Sequence, residues 1–322
     1  MSYLELSGGR IAYDRQGAGP PVVLLHGAAQ DSTVWRRVVP ALAARHDVVA
    51  YDQPGHGKSD LWHGAVVSQV EDYAQVLTEL IEALGIGPAP VVGHSLGGSV
   101  ALRAVLDRPW LIAAVVNLAG SAKSSQARIG YPGDLLELVS VNPSDWMETT
   151  FYSLLLSPEL SEEERWAMSF DPKRVPPEVI MGDLQAYTSC GFLSQLGQVT
   201  VPVLSLAGEY DWSCAPERVQ ATAQALGGPS QFQVLPGLGH MPQHEAPALL
   251  ARLVLEFLSQ RPEPAGPVGR AGAGEPDGES EHVTSREGVT GSGDIGTGSP
   301  SGLGRIQIPD AVDWPRLDQE EA

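Results

Sequence analysis

Short, unbroken apolar runs that end abruptly in turn residues constrain this chain more than any other feature. Pro21-Val22-Val23-Leu24-Leu25, Asp47-Val48-Val49-Ala50-Tyr51 and the stretch from Val201 to Ala207 are apolar at nearly every position. A strand with one wet face alternates polar and apolar side chains. One that is apolar throughout is buried on both faces, as in a parallel sheet covered by helices. Between these runs lie segments with helical spacing. From Ser68 to Leu84 the residues Val70, Tyr73, Ala74, Leu77, Leu80, Ile81 and Leu84 form one stripe, and Ser68 with Glu71 predicts a capping box at its start. Further strands are expected at Tyr3 to Leu6 and Ile11 to Tyr13 around Gly8-Gly9, before Ser95, at Ala113 to Leu118 and at Gln231 to Leu235. Helices are expected near Val34 to Ala44, from Ser95 to about Asp107, from Pro216 to Leu226 and from Pro247 to Leu258. The alternation predicts an α/β fold with a mostly parallel central sheet flanked by helices.

One region breaks the alternation. Residues 121–198 predict only helices, at Gly133 to Val139, Ser144 to Leu156, Glu162 to Met168 and Pro177 to Leu196. They are rich in large apolar side chains: Trp146, Met147, Phe151, Tyr152, Trp166, Met168, Phe170, Met181, Tyr187 and Phe192. Inserted between two core strands, the segment predicts a helical cap over the carboxyl edge of the sheet, where open α/β sheets bind ligands. Trp146, Phe151, Tyr187 and Met241 are the candidate walls of an apolar substrate pocket. The expected organisation is a core over 1–120 and 199–260, a cap over 121–198 and a tail over 261–322. That tail is acidic and rich in Gly and Pro, and it cannot bury enough apolar surface to offset its ordering entropy, so it is expected to be disordered. Ile306, Ile308, Val312, Trp314 and Leu317 make 306–317 a candidate docking segment within it.

Charge and composition exclude several roles. A formal charge of −19 speaks against nucleic acid and against an anionic membrane surface, because phosphate binding needs clustered Lys and Arg. No run of about 18 apolar residues predicts a membrane span, and no basic segment followed by an apolar run marks a signal peptide at the N-terminus. Cys190 and Cys214 cannot make a disulfide framework, so a cytoplasmic setting is expected. No His, Cys, Asp or Glu grouping has metal-ligand spacing, and no cofactor is called for.

Gly93-His94-Ser95-Leu96-Gly97 fits the G-x-S-x-G pattern, which holds a serine on a sharp strand-to-helix turn. Alone it is equally compatible with an ordinary strand–helix connection. A serine hydroxyl becomes a nucleophile only when a base takes its proton and a third group orients that base. Asp211 follows the run ending at Ala207, and His240 follows the strand ending at Leu235. Both therefore belong to loops at strand carboxyl ends, the edge that bears Ser95, in the order Ser, Asp, His. Of the other histidines, His94 is expected to be structural, His26 and His56 to shape loops, and His46, His63 and His244 to be solvated.

The His26-Gly27 turn, the Asp52-x-x-Gly55-x-Gly57-x-Ser59 loop, the Gly93–Gly97 elbow, Asp211 and Gly239-His240 together resemble the α/β-hydrolase fold superfamily of small, cap-bearing esterases, lactonases, peptidases and carbon–carbon bond hydrolases. The resemblance covers about residues 3–259. It implies an oxyanion site made by the backbone N–H groups of Ala28 and Leu96. Ser95 stands where dehalogenases and epoxide hydrolases of this fold carry aspartate, and Met241 where plant hydroxynitrile lyases carry lysine. The resulting expectation is a serine hydrolase that cleaves a small apolar ester, thioester or lactone through an acyl-enzyme at Ser95. Two other expectations stay open: a carbon–carbon bond hydrolase or cofactor-free perhydrolase with the same triad, and a ligand receptor built on a hydrolase scaffold.

Overall fold

The hairpin of β1 (Ser2–Leu6) and β2 (Gly9–Gln16) leads into β3 (Pro21–Leu25), α1 (Val39–Ala43), β4 (Asp47–Tyr51), α2 (Val70–Leu84), β5 (Ala89–His94), α3 (Leu96–Asp107) and β6 (Ile112–Leu118). Helices α4 (Leu135–Ser140), α5 (Pro143–Leu154), α6 (Glu162–Ser169) and α7 (Pro177–Ser189) follow before the next strand. Then come β7 (Val203–Gly208), α8 (Pro216–Gln224), β8 (Ser230–Leu235), α9 (Pro242–Glu245) and α10 (Pro247–Ser259). This computed structural model describes residues 1–123 and 135–260. The tail expectation, including 306–317, lies outside the described residues. None of the helices among them is long and apolar enough to cross a membrane.

The eight strands form one sheet in the order β1-β2-β4-β3-β5-β6-β7-β8. Only the pairings of β2 with β1 and with β4 are antiparallel; the rest are parallel. Side chains alternate between two cores, as a pleated strand requires. Val23, Leu25, Val49, Tyr51, Val91 and Val115 pack with α2 and α3 through Tyr73, Leu77, Leu80, Ile81 and Val100. Val22, Leu24, Val48, Ala50, Val92 and Val116 pack on the other face with Leu42, Leu250, Val254 and Phe257. Being buried on both faces is what made these strands continuous apolar runs. Strand order reverses between β3 and β5, whose register aligns Leu25 with Gly93. Such a switch point opens a crevice at the strand carboxyl ends. Here it sets the His26-Gly27-Ala28 loop beside Ser95.

Four local expectations are corrected. The segment near Val34 to Ala44 is a 3-10 turn at Ser32–Trp35 and then α1, because Pro40 starts a new helix in the first turn. The capping box at Ser68 is not formed: α2 begins at Val70 with Gln69 as an extended N-cap that makes no side-chain bond. Ser68 therefore lies one residue too early to reach the N3 position. The helix expected to run from Pro177 to Leu196 stops at Ser189, and a 3-10 turn at Leu193–Gln198 follows Gly191. His244 is not solvated. It is buried on α9, a four-residue helix between two prolines, with Nε2 3.5 Å from Asp171 Oδ2.

Helices α4 to α7 share a cluster of their own, in which Val139, Met147, Phe151, Leu160, Val179, Ile180 and Leu184 meet Ala29 and Met241 from the loops after β3 and β8. The described part of this helical insertion packs against the loops after β3 and β8, the second of which carries His240.

Candidate active site

Ser95 is the residue between β5 and α3, with φ +53° and ψ −117°. A non-glycine residue in that region costs on the order of 1–3 kcal/mol and persists only where its surroundings fix it. Three backbone bonds do so: the Ser95 N–H donates to Leu118 O (2.8 Å), and the N–H groups of Gly98 (2.9 Å) and Ser99 (3.2 Å) donate to Ser95 O. The flanking glycines are steric necessities. A Cβ on Gly93 would lie 2.2 Å from Gly97 O, and one on Gly97 would lie 2.5 Å from His26 O. The hydroxyl stands at the head of a cavity with about 730 Å³ of empty space, its open mouth included.

Asp211 and His240 come from the loops after β7 and β8, and their side chains meet. His240 Nδ1 lies 2.6 Å from Asp211 Oδ2, and both residues are buried. The other carboxylate oxygen accepts the N–H groups of Ser213 (2.9 Å) and Cys214 (2.8 Å). With Oδ1 anchored this way, Oδ2 is held toward the imidazole, which must keep its proton on Nδ1 and leave Nε2 with a lone pair. Ser95 and His240 line the same cavity. The N–H groups of Ala28 and Leu96 have no hydrogen-bond partner among the described residues, and Ala28 also lines the cavity.

The loop of His240 is held by a residue that sequence reasoning missed. Glu245, buried on α9, accepts four backbone N–H groups. Its Oε2 takes those of Gly239 (2.9 Å), Leu156 (3.0 Å) and Ser157 (2.8 Å), and Oε1 takes that of Met241 (2.9 Å). The His240 N–H itself donates to Leu154 O at 3.0 Å. One carboxylate therefore brackets His240 on both sides and ties it to the end of α5. Each orphaned buried donor costs on the order of 1–3 kcal/mol. Glu245→Ala is expected to lower the unfolding free energy by about 3 kcal/mol or more, and Glu245→Gln, which keeps one acceptor oxygen, by clearly less. Urea denaturation of the two variants checks the ranking.

The remaining histidines are structural in placement. His94 lines the cavity beside Ser95, with Nε2 2.9 Å from His240 O and Nδ1 3.1 Å from Gln30 Oε1. Burial, then the charge His240 carries when protonated, push it well below the usual histidine range. His26 accepts the Gln53 N–H at Nε2 (2.9 Å) and donates from Nδ1 to Gly27 O (2.8 Å). Burial, then the charge of His56, push it down to about 4. His56 is the opposite case. Burial opposes its charge, but the Asp183 carboxylate and the Pro54 carbonyl raise it above the ordinary value.

The cavity walls include all four expected residues, Trp146, Phe151, Tyr187 and Met241, together with Met147, Thr150, Leu154, Leu184, Trp212 and Ser213. Tyr187 is fixed by its hydroxyl, which donates to Ser213 O (3.1 Å) and accepts from Arg218 (3.1 Å). Trp166 and Phe170 are exposed elsewhere on the insertion, and Met168 and Phe192 are buried away from the cavity. No Lys, Arg, Asp or Glu among the described residues lines it.

A family model for the alpha/beta hydrolase fold matches residues 20–247. The chain belongs to the alpha/beta hydrolase fold family. Within it, this hydrolase is 26% identical over 253 residues to Karrikin insensitive 2 receptor IA of Petunia hybrida, covering 76% of this chain and 92% of that one. It is 33% identical over 125 residues to (E)-2-((N-methylformamido)methylene)succinate hydrolase of Acinetobacter baylyi, covering 38% of this chain and 47% of that one. Among solved structures, a thermophilic esterase from Thermogutta terrifontis superposes with a TM-score of 0.72 at 23% identity, covering 81% of this chain and 99% of that one. The chain is an enzyme of the alpha/beta hydrolase fold.

Proposed function

We propose that this hydrolase cleaves a small, uncharged, apolar ester, thioester or lactone through an acyl-enzyme on Ser95. The observation that carries the reading is the buried His240–Asp211 pair on the same cavity as a strained serine and an unpartnered Ala28 N–H. In this reading His240 Nε2 takes the Ser95 proton as Oγ attacks the carbonyl carbon. The developing O⁻ is held by the N–H groups of Ala28 and Leu96, with each donor worth about 10²–10³ in rate. Collapse breaks the bond to the leaving alcohol or thiol, which receives the proton from His240. Water then repeats the sequence with His240 as base and frees the acid. Helices α4 to α7 act as the cap that sets the acyl group.

The wall supports the substrate class. Trp146, Met147, Phe151, Leu154, Leu184 and Met241 offer no counter-charge, and desolvating a carboxylate or ammonium there costs several kcal/mol. The test is labelling by a fluorophosphonate, located by mass spectrometry, together with a panel of esters of graded acyl length. The expected result is a single label on Ser95 and turnover of neutral acyl groups, with charged acyl groups disfavoured by about 10²-fold or more. An unlabelled Ser95, with no ester or lactone turned over, would overturn the reading. Acceptance of a vinylogous diketone, or of an acid plus peroxide, in place of esters would redirect the same machinery to carbon–carbon cleavage or perhydrolysis.

The Petunia receptor, similar over most of its length, favours one second reading: slow turnover coupled to ligand sensing through the cap. It predicts a ligand that changes partner binding at a turnover far below that of an ester-hydrolysing enzyme, and fast multiple turnover excludes it.

A further inference from the structure

Asp183 is an acid in the wrong place for a helix stripe. It sits on α7 among Val179, Ile180, Leu184 and Tyr187, at the three-and-four spacing of a buried face, and is itself fully buried. Its carboxylate accepts three hydrogen bonds. Oδ1 accepts the Tyr73 hydroxyl at 2.6 Å, and Oδ2 accepts His56 Nε2 at 2.9 Å and the Ala29 N–H at 2.8 Å. An apolar residue would fill the space at far lower desolvation cost, so the carboxylate calls for a reason.

Its contacts supply one. Ala29 adjoins Ala28, a cavity-lining residue whose N–H has no partner among the described residues, and has φ +55°, a left-handed conformation that costs a non-glycine residue roughly 1–2 kcal/mol. The Asp183 bond holds it there. The unit before Gly27 is held by the Gly27 N–H, which donates to Gln30 Oε1 at 2.9 Å, and the peptide unit before Ala28 is pinned by Gly27 O, which accepts His26 Nδ1–H. With its carbonyl tied to His26, that planar unit must aim the Ala28 N–H the opposite way. His26 donates from Nδ1 because its Nε2 is occupied by the Gln53 N–H. Its ring lies 4.9 Å from that of His56. His56 Nδ1 faces Pro54 O at 3.0 Å and Nε2 faces the Asp183 carboxylate, and these two acceptors favour the doubly protonated, charged ring. Burial alone would raise the Asp183 carboxyl, but the His56 charge and the three hydrogen bonds hold it below its usual value. Burial, together with the charge that Asp183 favours on His56, holds His26 neutral, and the Gln53 N–H on Nε2 sets the tautomer that anchors Gly27.

We infer that Asp183, contributed by the helical insertion, is a positioning residue that aims the Ala28 N–H at the reaction centre, through the Ala29 N–H on one side and through His56 and His26 on the other. The inference rests on the acyl-enzyme reading of Ser95. It makes the insertion part of the oxyanion machinery rather than only a wall of the pocket, because loss of its seat on the core removes the acceptor from Ala29.

The test uses the full chain and a trifluoromethyl ketone. Ser95 Oγ adds to the ketone carbonyl, the serine proton passes to His240, and the O⁻ that forms occupies the site of the developing charge. Asp183→Asn removes the counter-charge of His56. It is expected to lower kcat about tenfold or more with KM within about twofold, and to weaken the ketone by the same factor as kcat/KM. The affinity of the product acid should not change. Should that variant fail to unfold cooperatively, Tyr73→Phe, which removes one hydrogen bond from the same carboxylate, carries the test with a smaller but parallel loss of kcat and ketone affinity. Unchanged kcat in a folded variant, or a fall in kcat with undiminished ketone affinity, overturns the inference. Wild-type enzyme that neither turns over an ester nor binds the ketone at Ser95 defeats the acyl-enzyme reading first, and the inference with it.

Discussion

Ser95→Ala is expected to give a folded protein whose ester hydrolysis falls by about 10⁴-fold or more, with substrate binding largely kept. The elbow does not depend on the hydroxyl. The backbone bonds from Ser95 N–H to Leu118 and from Gly98 and Ser99 to Ser95 O survive the change, and so does the close passage of Gly93 against Gly97. Alanine at φ +53° carries much the same backbone cost as serine. The unfolding free energy should therefore stay within about 0.5 kcal/mol of wild type, which separates loss of a nucleophile from loss of structure. Activity retained within tenfold in the purified variant would sink the acyl-enzyme reading, because among the described residues no other hydroxyl on the cavity wall belongs to a residue with positive φ.

What could be read from the chain, and what could not, divides by sequence distance. β3 and β4 occupy Pro21–Leu25 and Asp47–Tyr51, where the apolar runs put them, because burial on both faces is written into every residue of such a strand. The expectation that Ser95, Asp211 and His240 share one edge has a related basis: Ser95 and Asp211 follow runs of that kind, and His240 follows the alternating, half-exposed β8. Parallel strands bring all three carboxyl ends together, where Ser95 and His240 line one cavity and Asp211 meets His240. The supports of the site were not legible. Asp183 reaches Ala29 across 154 residues and Glu245 reaches Leu156 across 89, and nothing local in either segment names the partner. A signal existed for Asp183, an acid inside an apolar helical stripe, and for Glu245, an acid confined between Pro242 and Pro247. His244 was misread. It was expected to be solvated, whereas the short α9 turns it inward against Asp171.

The Asp211→Asn variant carries the sharper prediction, because geometry fixes how the new amide must sit. Asp211 Oδ1 accepts two buried backbone N–H groups, from Ser213 and Cys214, while Oδ2 accepts only His240 Nδ1–H. An asparagine that turned its NH₂ toward Ser213 and Cys214 would face donors with donors and orphan both, at roughly 1–3 kcal/mol each. Its carbonyl oxygen therefore stays on the two backbone groups and its NH₂ points at His240 Nδ1. That nitrogen must then accept rather than donate, so the proton moves to Nε2, the atom that has to receive the proton of Ser95. Shape, volume and the loop anchors are preserved, and only the tautomer is reversed. A fall in kcat of about 10⁴-fold at neutral pH is expected, with the cavity intact and KM little changed. Fluorophosphonate labelling of Ser95 should slow in parallel, since that reaction needs the same base. A variant that keeps kcat within tenfold of wild type would show that His240 does not depend on Asp211 for its tautomer, and the assignment of Asp211 as the orienting acid would have to be given up.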